Sequence, residues 1–380
     1  EFDLVVYGAT GFTGKLAATY LARGLPGAPK FALGGRTEED LLALSKELGA
    51  GAGRPAPPTV VADLGDYDSL LAMARKAKVV LTYVGPYEEF GGEHLIRAAL
   101  DACTHYVDIT GETPWKLDML GRYEKEAQDR GVVVVQSAGL DSLPADLAAS
   151  LAAESLASDD EGPPTEVAVM WEKLNGWVSA GTLHSGMYSA THHAPTNDYS
   201  LAPGMKQTPK WAAQLLFPEL HLPYPMSFVD TPTLVRSMHL MFPKASVSVT
   251  EDMAPSVAAH FAVFAADPRM VSDSPLQALT SGEGPPEWMQ AKGSFTLEGR
   301  ARRHAQGRVA AVRIEGRGDP GYGACAKYSV ELALGLSRPG GPAGAGFLTP
   351  ALALGPKKLQ QRLEAAEHGQ FMKFETFFMN

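Results

Sequence analysis

Three glycines at every third position, Gly8, Gly11 and Gly14, follow directly on the apolar run Leu4-Val5-Val6-Tyr7 and precede the helix formers of Lys15 to Arg23. A strand, a glycine turn and a helix in that order make an anion cradle. Gly8 permits the tight turn, Gly11 lets the backbone approach a pyrophosphate with no Cβ in the way, and Gly14 allows close helix–strand packing. Free N–H groups at the positive end of the helix then face the phosphates, with Thr10, Phe12 and Thr13 completing the loop. The spacing is GxxGxxG rather than GxGxxG, and a glycine turn can be purely structural. The strand before it and the helix after it select a dinucleotide site.

The end of the second strand chooses between dinucleotides. An NAD site places Asp or Glu there for the ribose hydroxyls, whereas an NADP site offers a cation to the extra phosphate. Here Arg36 follows Gly34-Gly35. A guanidinium can grip a phosphate bidentately and stack on adenine, so NADPH is the expected cofactor. Glu38 and Glu39 read as first-turn helix residues, and a solvated surface role is the rival reading of Arg36. Asp63, past the third strand, is placed near the adenine end or serves as a loop or capping residue. Val84-Gly85-Pro86-Tyr87 closes the fourth strand, where a nicotinamide would lie. Tyr87 there is either a proton donor or a packing residue. His192-His193 lacks the spacing of a metal site, and no metal is expected.

Strands alternating with helices must position these residues. From Asp3 to Asp146 six apolar runs alternate with helical stretches, the count of a doubly wound parallel sheet. After Asp146 a helix over Leu147–Leu156 is expected. Strands are expected at Glu166–Glu172, Ala258–Ala266, Gly293–Arg302 and Arg308–Glu315, the last two forming a hairpin. A helix rich in small residues is expected over Thr182–Thr191. The stretch from Pro195 to Pro255 is rich in Pro, Met and aromatics without periodicity, which suits a lid or a dimer contact. Helices are expected again over Tyr322–Leu336 and Lys357–Glu367.

The 380 residues carry 45% hydrophobic and 20% charged residues, ordinary for a globular chain with two cores. The formal net charge of −10, with no dense basic run, argues against nucleic acid. No apolar run is long enough for a transmembrane span, while peripheral membrane or lipid association stays open. Cys103 and Cys325 read as core-filling thiols of an intracellular protein, in cytoplasm or an organelle. The chain starts at Glu1 without a methionine, so residues upstream are expected, and a removed targeting peptide among them stays open.

VVYGATGFTG at the start, GGR at 34–36, VGPY at 84–87, YVDITGE at 106–112, GLDSLPADL at 139–147, FLTPALALG at 347–355 and LQQRLEAA at 359–366 resemble the saccharopine dehydrogenase-like oxidoreductases. That family includes the trans-acting enoyl reductases of lipid biosynthesis. The resemblance is specific at both ends and weak between about 195 and 290. It implies an α/β protein: an NADP-binding doubly wound Rossmann domain over 1–146, and a substrate and dimerisation α+β domain with a mixed or antiparallel sheet over 147–336. It further implies that 337–380 packs back on the first domain. Cofactor contacts would come from Gly8, Thr10, Gly11, Phe12, Thr13, Gly14, Arg36, Asp63, Val84, Gly85 and Tyr87. Gly111 and Asp141 would border the crevice between domains. Candidate acid/base or orienting groups are Tyr87, Asp141 and Tyr188.

The leading expectation is an NADPH-dependent reductase acting on a C=C or C=N bond of an apolar, lipid-like small molecule, with a homodimer among its expected assemblies. A non-catalytic NADPH-binding subunit, lipid-associated or assembling, is the second reading. A saccharopine reductase-like amino-acid dehydrogenase is the third. It requires convergent Arg or Lys residues that the sequence does not plainly supply.

Overall fold

The structure is a computed structural model, described for residues 1–53, 55–140, 142–157, 162–176, 192, 201, 216, 220–259, 287–304 and 307–379. Its first half alternates strictly. Strands β1 (Phe2–Tyr7), β2 (Phe31–Gly35), β3 (Thr59–Val61), β4 (Ala77–Thr82), β5 (His105–Val107) and β6 (Val133–Val135) are interleaved with helices α1 (Phe12–Ala22), α2 (Glu38–Ala52), α3 (Tyr67–Ala74), α4 (Gly92–Asp101) and α5 (Thr113–Asp129). All pairings are parallel, in the order β3-β2-β1-β4-β5-β6, and β12 (Gly346–Leu348) adds a seventh strand beside β6. Such a sheet is covered on both faces, which is why its strands are continuous apolar runs: Leu4, Val5, Val6, Val79, Val80 and Leu81 are all fully buried. The order reverses beside β1, between β2 and β4. That reversal opens a crevice at the carboxyl ends of these strands.

The second sheet is mixed, in the order β13-β11-β10-β7-β9-β8. It contains β7 (Glu166–Asn175), β8 (Leu222–Pro223), β9 (Ser248–Met253), β10 (Ser294–Arg302), β11 (Val309–Arg317) and β13 (Met372–Met379). β10 and β11 form the hairpin that their alternation predicts, and β7 lies parallel to β9. Helix α6 (Leu143–Ala157) packs on β10 and β11 and on α7 (Ser227–Met241). Buried on nearly every side, it carries apolar residues all round, as such a helix must.

The structure departs from the sequence reading in several places. The helix expected from Leu147 already begins at Leu143, so the GLDSLPADL stretch runs straight into the second sheet's covering helix. Helix α8 (Cys325–Leu336), after a π-helical turn over Pro320–Ala324, packs on α1, β1 and β4 of the first sheet. The segment 337–380 is shared between the sheets: β12 joins the first, while β13 pairs with β11 of the second. Val309, Val312 and Ile314 of β11 stand opposite Met379, Thr376 and Phe374 of the tail, and no local pattern announces this pairing. Ala258 and Ala259 lie in a helical turn; the rest of the strand expected there, and the helix expected over 182–191, lie outside the described residues. Cys103 is exposed at a positive φ of 53° after α4, so it fills no core, whereas Cys325 is buried.

A clamp of charges fastens β12. The Arg236 guanidinium on α7 donates to the carbonyls of Phe347 and Leu201 and to Glu124 on α5, and Glu124 in turn accepts the Phe347 N–H. Burial pulls the pKa of Arg236 below its usual value, with Glu124 opposing that shift. Helices α9 (Pro350–Leu354) and α10 (Pro356–Ala365) continue the chain along α8 and α6.

Candidate active site

The loop between β1 and α1 sits at the sheet's reversal point. Gly8 adopts a φ of +78°, and a Cβ there would stand 2.6 Å from Val84 Cγ2, so the loops after β1 and β4 touch. At Gly14 a Cβ would lie 2.1 Å from the Gly8 carbonyl oxygen, so the first turn of α1 is pressed onto the loop's own backbone. The Gly8 and Ala9 amides donate to Gly34 O and the Gly11 amide to Gly8 O. Among the described residues the amides of Thr10, Phe12, Thr13 and Gly14 meet no acceptor. They are the orphan donors of a helix start. Thr10 and Gly11 are exposed, Thr13 is buried, and the Phe12 ring packs edge-on against Tyr322 at 5.4 Å. A Cβ on Gly11 would meet only Gly8 O, at 3.4 Å, which leaves open space above the turn. An exposed nest of unpaired amides at a helix N-terminus fits a pyrophosphate.

Arg36 is exposed immediately after β2, and Thr37 caps α2 without a side-chain bond. Burial, and then the neighbouring Asp63 carboxylate, push the Tyr7 phenol up to about 12, while Arg36 works in the opposite direction. Both charges therefore sit around the Tyr7 hydroxyl, at the edge where β1, β2 and β3 end. Asp63 Oδ1 accepts the Gly65 N–H at 2.7 Å, and Asp66 rather than Asp63 caps α3. The loop-residue reading of Asp63 thus has a partner in the structure.

Val84 and Gly85 are half-buried at the mouth of β4, beside the glycine loop. Tyr87 takes the packing arrangement of its two sequence readings. Its hydroxyl donates to Thr82 O at 3.1 Å and accepts from the Ile109 N–H, and its ring stacks on Trp115. Burial, followed by the nearby Asp108 charge, raises its pKa well above the ordinary tyrosine value. The hydroxyl is thus engaged by backbone groups on both sides, which ties the loops after β4 and β5 together. Gly111 is half-buried and faces Val229 of α7, at the contact between the two sheets' helices. Asp141, Tyr188 and His193 lie outside the described residues. Among the described residues no group of three His, Cys, Asp or Glu could hold a metal, and no helix is long and apolar enough to cross a membrane.

Sequence reasoning passed over the buried charges beneath this crevice. Glu112 accepts the amides of Tyr87 (2.8 Å) and Glu88 (2.9 Å), and so fixes the VGPY loop. Asp108, fully buried, accepts the amides of Thr110 and Ser137 and the Tyr106 hydroxyl. Lys116, also buried, donates to Thr233 Oγ1 across to α7. The signal was present, because Asp108 and Glu112 are the acidic residues of the YVDITGE stretch. Their roles also depend on partners outside that stretch, Ser137 for Asp108 and Tyr87 and Glu88 for Glu112.

Burial lifts Asp108 to about 7, against hydrogen bonds that lower it. The folded form therefore keeps a proton that the unfolded chain releases between about pH 4 and 7, so stability falls as pH rises through that window. Urea titrations across it should show Asp108→Asn, which keeps the acceptor oxygen, flattening the fall by up to about 1.4 kcal/mol per pH unit. An unchanged slope would refute this placement of the charge.

A doubly wound sheet with an exposed amide nest at its reversal point, and a cation after β2, defines an NADP-dependent oxidoreductase joined to a second, mixed-sheet unit. Comparison with known proteins agrees. Residues 4–135 match the saccharopine dehydrogenase NADP binding domain. A Mycobacterium tuberculosis protein provisionally named a trans-acting enoyl reductase is 32% identical over 96% of this chain and 96% of its own length. The chain belongs to the saccharopine dehydrogenase-like oxidoreductases, the family that includes the trans-acting enoyl reductases, and its cofactor is NADPH. A lipid droplet localized protein of Caenorhabditis elegans is 40% identical over 39% of this chain and 35% of its own. Apo saccharopine dehydrogenase (L-Glu forming) of Saccharomyces cerevisiae shares the fold, with a TM-score of 0.55 over 99% of this chain and 100% of that one, at 13% identity.

Proposed function

We propose that this reductase passes hydride from NADPH to a C=C (enoyl) or C=N bond of an apolar, lipid-like substrate in the crevice between the two sheets. The observation that carries this reading is the near full-length match to the mycobacterial protein named for enoyl reduction. The match to a lipid droplet localized protein supports an apolar partner and peripheral lipid association. In this reading the amides of Thr10, Phe12, Thr13 and Gly14 hold the pyrophosphate, with Gly8 and Gly11 giving it room. Arg36 grips the ribose phosphate, Asp63 lies near adenine, and Val84, Gly85 and Gly111 flank the nicotinamide end. NADPH supplies the hydride; the protein positions and polarises the acceptor. Asp141 and Tyr188 are the proposed orienting or acid/base groups, and Tyr87 shapes the loop. Domain roles follow the same reading, with the first sheet binding cofactor and the mixed-sheet unit covering substrate.

A second reading, a non-catalytic NADPH-binding lipid-associated subunit, draws on the lipid droplet relative, whose name gives a location and no reaction. The saccharopine-reducing alternative has the yeast enzyme's fold in its favour, and that likeness extends to fold alone.

Titration with each cofactor tests the site. Arg36→Ala should weaken NADPH binding by about 10- to 100-fold and leave NADH within about twofold, as loss of a charge-assisted phosphate contact implies. Equal wild-type affinity for both, unchanged in the variant, sinks the assignment. NADPH oxidation on adding long-chain enoyl thioesters supports the reductase; binding without turnover of any enoyl or imine compound supports the second reading.

A further inference from the structure

We propose that this protein has a second anion site, apart from its cofactor cradle: a cavity along the outer side of α1 that takes the phosphomonoester group of a small soluble metabolite. The cavity's shape and charges carry this, independently of the substrate reading above.

The cavity holds about 350 Å³ and lies where elements of the two sheets meet. Leu16, Tyr20 and Arg23 line it from α1, at the spacing of one helix face. Opposite them stand Arg317 at the end of β11, Lys327 in the first turn of α8, and Glu367 in the turn before β13. Its size falls at the small end of ligand pockets, which suits a compact organic molecule.

In a chain of net charge −10, this cavity gathers three cations. Lys327 Nζ bonds to Glu367 Oε2 at 2.7 Å, and Arg23 Nη1 reaches Glu367 Oε1 at 3.7 Å, so two cations share one carboxylate. Arg317 is exposed at the edge and has no carboxylate partner among the described residues. Asp319, the other acid of the wall, is buried and accepts the Tyr322 N–H at 2.9 Å, which holds the π-helical turn. Glu367 reaches its place through three successive left-handed residues, Glu367, His368 and Gly369, at φ 48°, 58° and 81°. Two of these carry side chains that disfavour that conformation, and such strain gathers at ligand clamps.

The site is distinct from the cofactor's. Arg23 follows the last residue of α1, roughly 16 Å along the axis from the amides that open it, at 1.5 Å per residue. Phe12, one turn before Leu16, packs on Tyr322 and separates this face from the cofactor loop. The carboxyl end of α1 opposes an anion, but that effect fades beyond the last turn, and two of the three cations stand on other elements. Two guanidiniums and an ammonium against one shared carboxylate match a doubly charged phosphomonoester, whose oxygens suit the guanidinium fork. Leu16 and the Tyr20 ring give a short carbon body an apolar wall. The large exposed side chains at the rim, Arg23, Arg317 and Gln370, are polar, which favours a soluble ester over a lipid chain.

Calorimetric titration of the full chain saturated with NADPH, so that the cradle is filled, tests this with glycerol 3-phosphate as the probe. Wild type should bind one equivalent with a Kd of about 0.1 mM, as a compact ligand with one charged group allows. Arg317→Ala should weaken binding about tenfold or more, and R23A/R317A should abolish it. Both variants should melt as wild type does and keep NADPH affinity within about twofold, since the only ion pair lost is the exposed one at 3.7 Å. Glycerol, which lacks the phosphate, should give no heat. Absence of binding by wild type, binding that both variants leave unchanged, or a loss that appears only together with lost NADPH affinity each overturns the proposal. Co-sedimentation with phosphatidylcholine vesicles containing phosphatidic acid, abolished by Arg317→Ala and without heat from the free ester, would put the same group on a lipid and overturn the soluble ligand.

Discussion

Gly14→Ala is expected to lower NADPH affinity at least about 100-fold, roughly 2.7 kcal/mol, and to cost stability as well. The added methyl would meet Gly8 O at 2.1 Å, the Gly8 carbonyl carbon at 2.8 Å and Ala9 Cα at 3.0 Å. All three are backbone atoms, so no rotamer change relieves the clash. Helix α1 must lift away from the turn, and its buried face of Ala17, Ala18, Tyr20 and Leu21 lifts with it. An overpacked contact of this kind costs about 1–3 kcal/mol of stability. Gly11→Ala is the matched control: its methyl meets nothing closer than 3.4 Å within the protein, so it should melt as wild type does while impairing cofactor binding. Nucleotide titration by fluorescence and thermal denaturation read the two effects separately. A Gly14→Ala protein that binds NADPH within twofold of wild type contradicts the cradle.

Asp146→Ala should be the most destabilising single substitution at the junction of the two sheets. The carboxylate is fully buried where α6, α7 and α9 meet. It accepts from the Ser237 hydroxyl, from the Ala351 N–H at 2.8 Å and from Ser150 at 3.4 Å. Alanine would orphan these donors together, for a loss of about 3–5 kcal/mol. Burial also lifts this carboxyl to about 6, against hydrogen bonds that lower it, so its share of stability declines as pH rises from about 4 to 6. Asp146→Asn keeps one acceptor oxygen and should lose less than half as much. Chemical denaturation at pH 7 discriminates: a loss below about 1 kcal/mol for the alanine variant would mean that water substitutes for the carboxylate.

The parts of this protein legible in its sequence are those written in contiguous residues. Gly8 to Gly14 could be read because strand, turn and helix are adjacent. The hairpin of β10 and β11 could be read because its alternation spans both strands and a short turn. Arg36 needed only the strand end before it. The remainder is encoded at a distance. Whether the Tyr87 hydroxyl donates a proton or ties loops together depends on Ile109 and Thr82, and no spacing rule joins those three. Asp108, Lys116, Asp146 and Arg236 look like surface residues in a linear reading, since charged side chains are seldom buried without partners. Their partners, such as Thr233, Ala351 and Phe347, lie up to 205 residues away for Asp146. Cys103 misled for the converse reason: its apolar neighbours belong to a helix that has already ended.

The placement of β12 and β13 has a bearing on how this chain comes to be folded in a cell. Each sheet takes a strand from the last stretch of the chain: β12 closes one flank of the parallel sheet, and β13 lies along β11. While the ribosome is still making residues 346–379, both β6 and β11 stand with an open flank, and Asp146 waits for the Ala351 amide. Domains that are complete early can fold as they emerge, but these two cannot finish until residues 346–379 have followed the rest of both sheets. The nascent protein thus spends its synthesis with two sticky strand flanks exposed. That makes it a natural client for holding chaperones, and a stop before residue 346 leaves both sheets with an open flank.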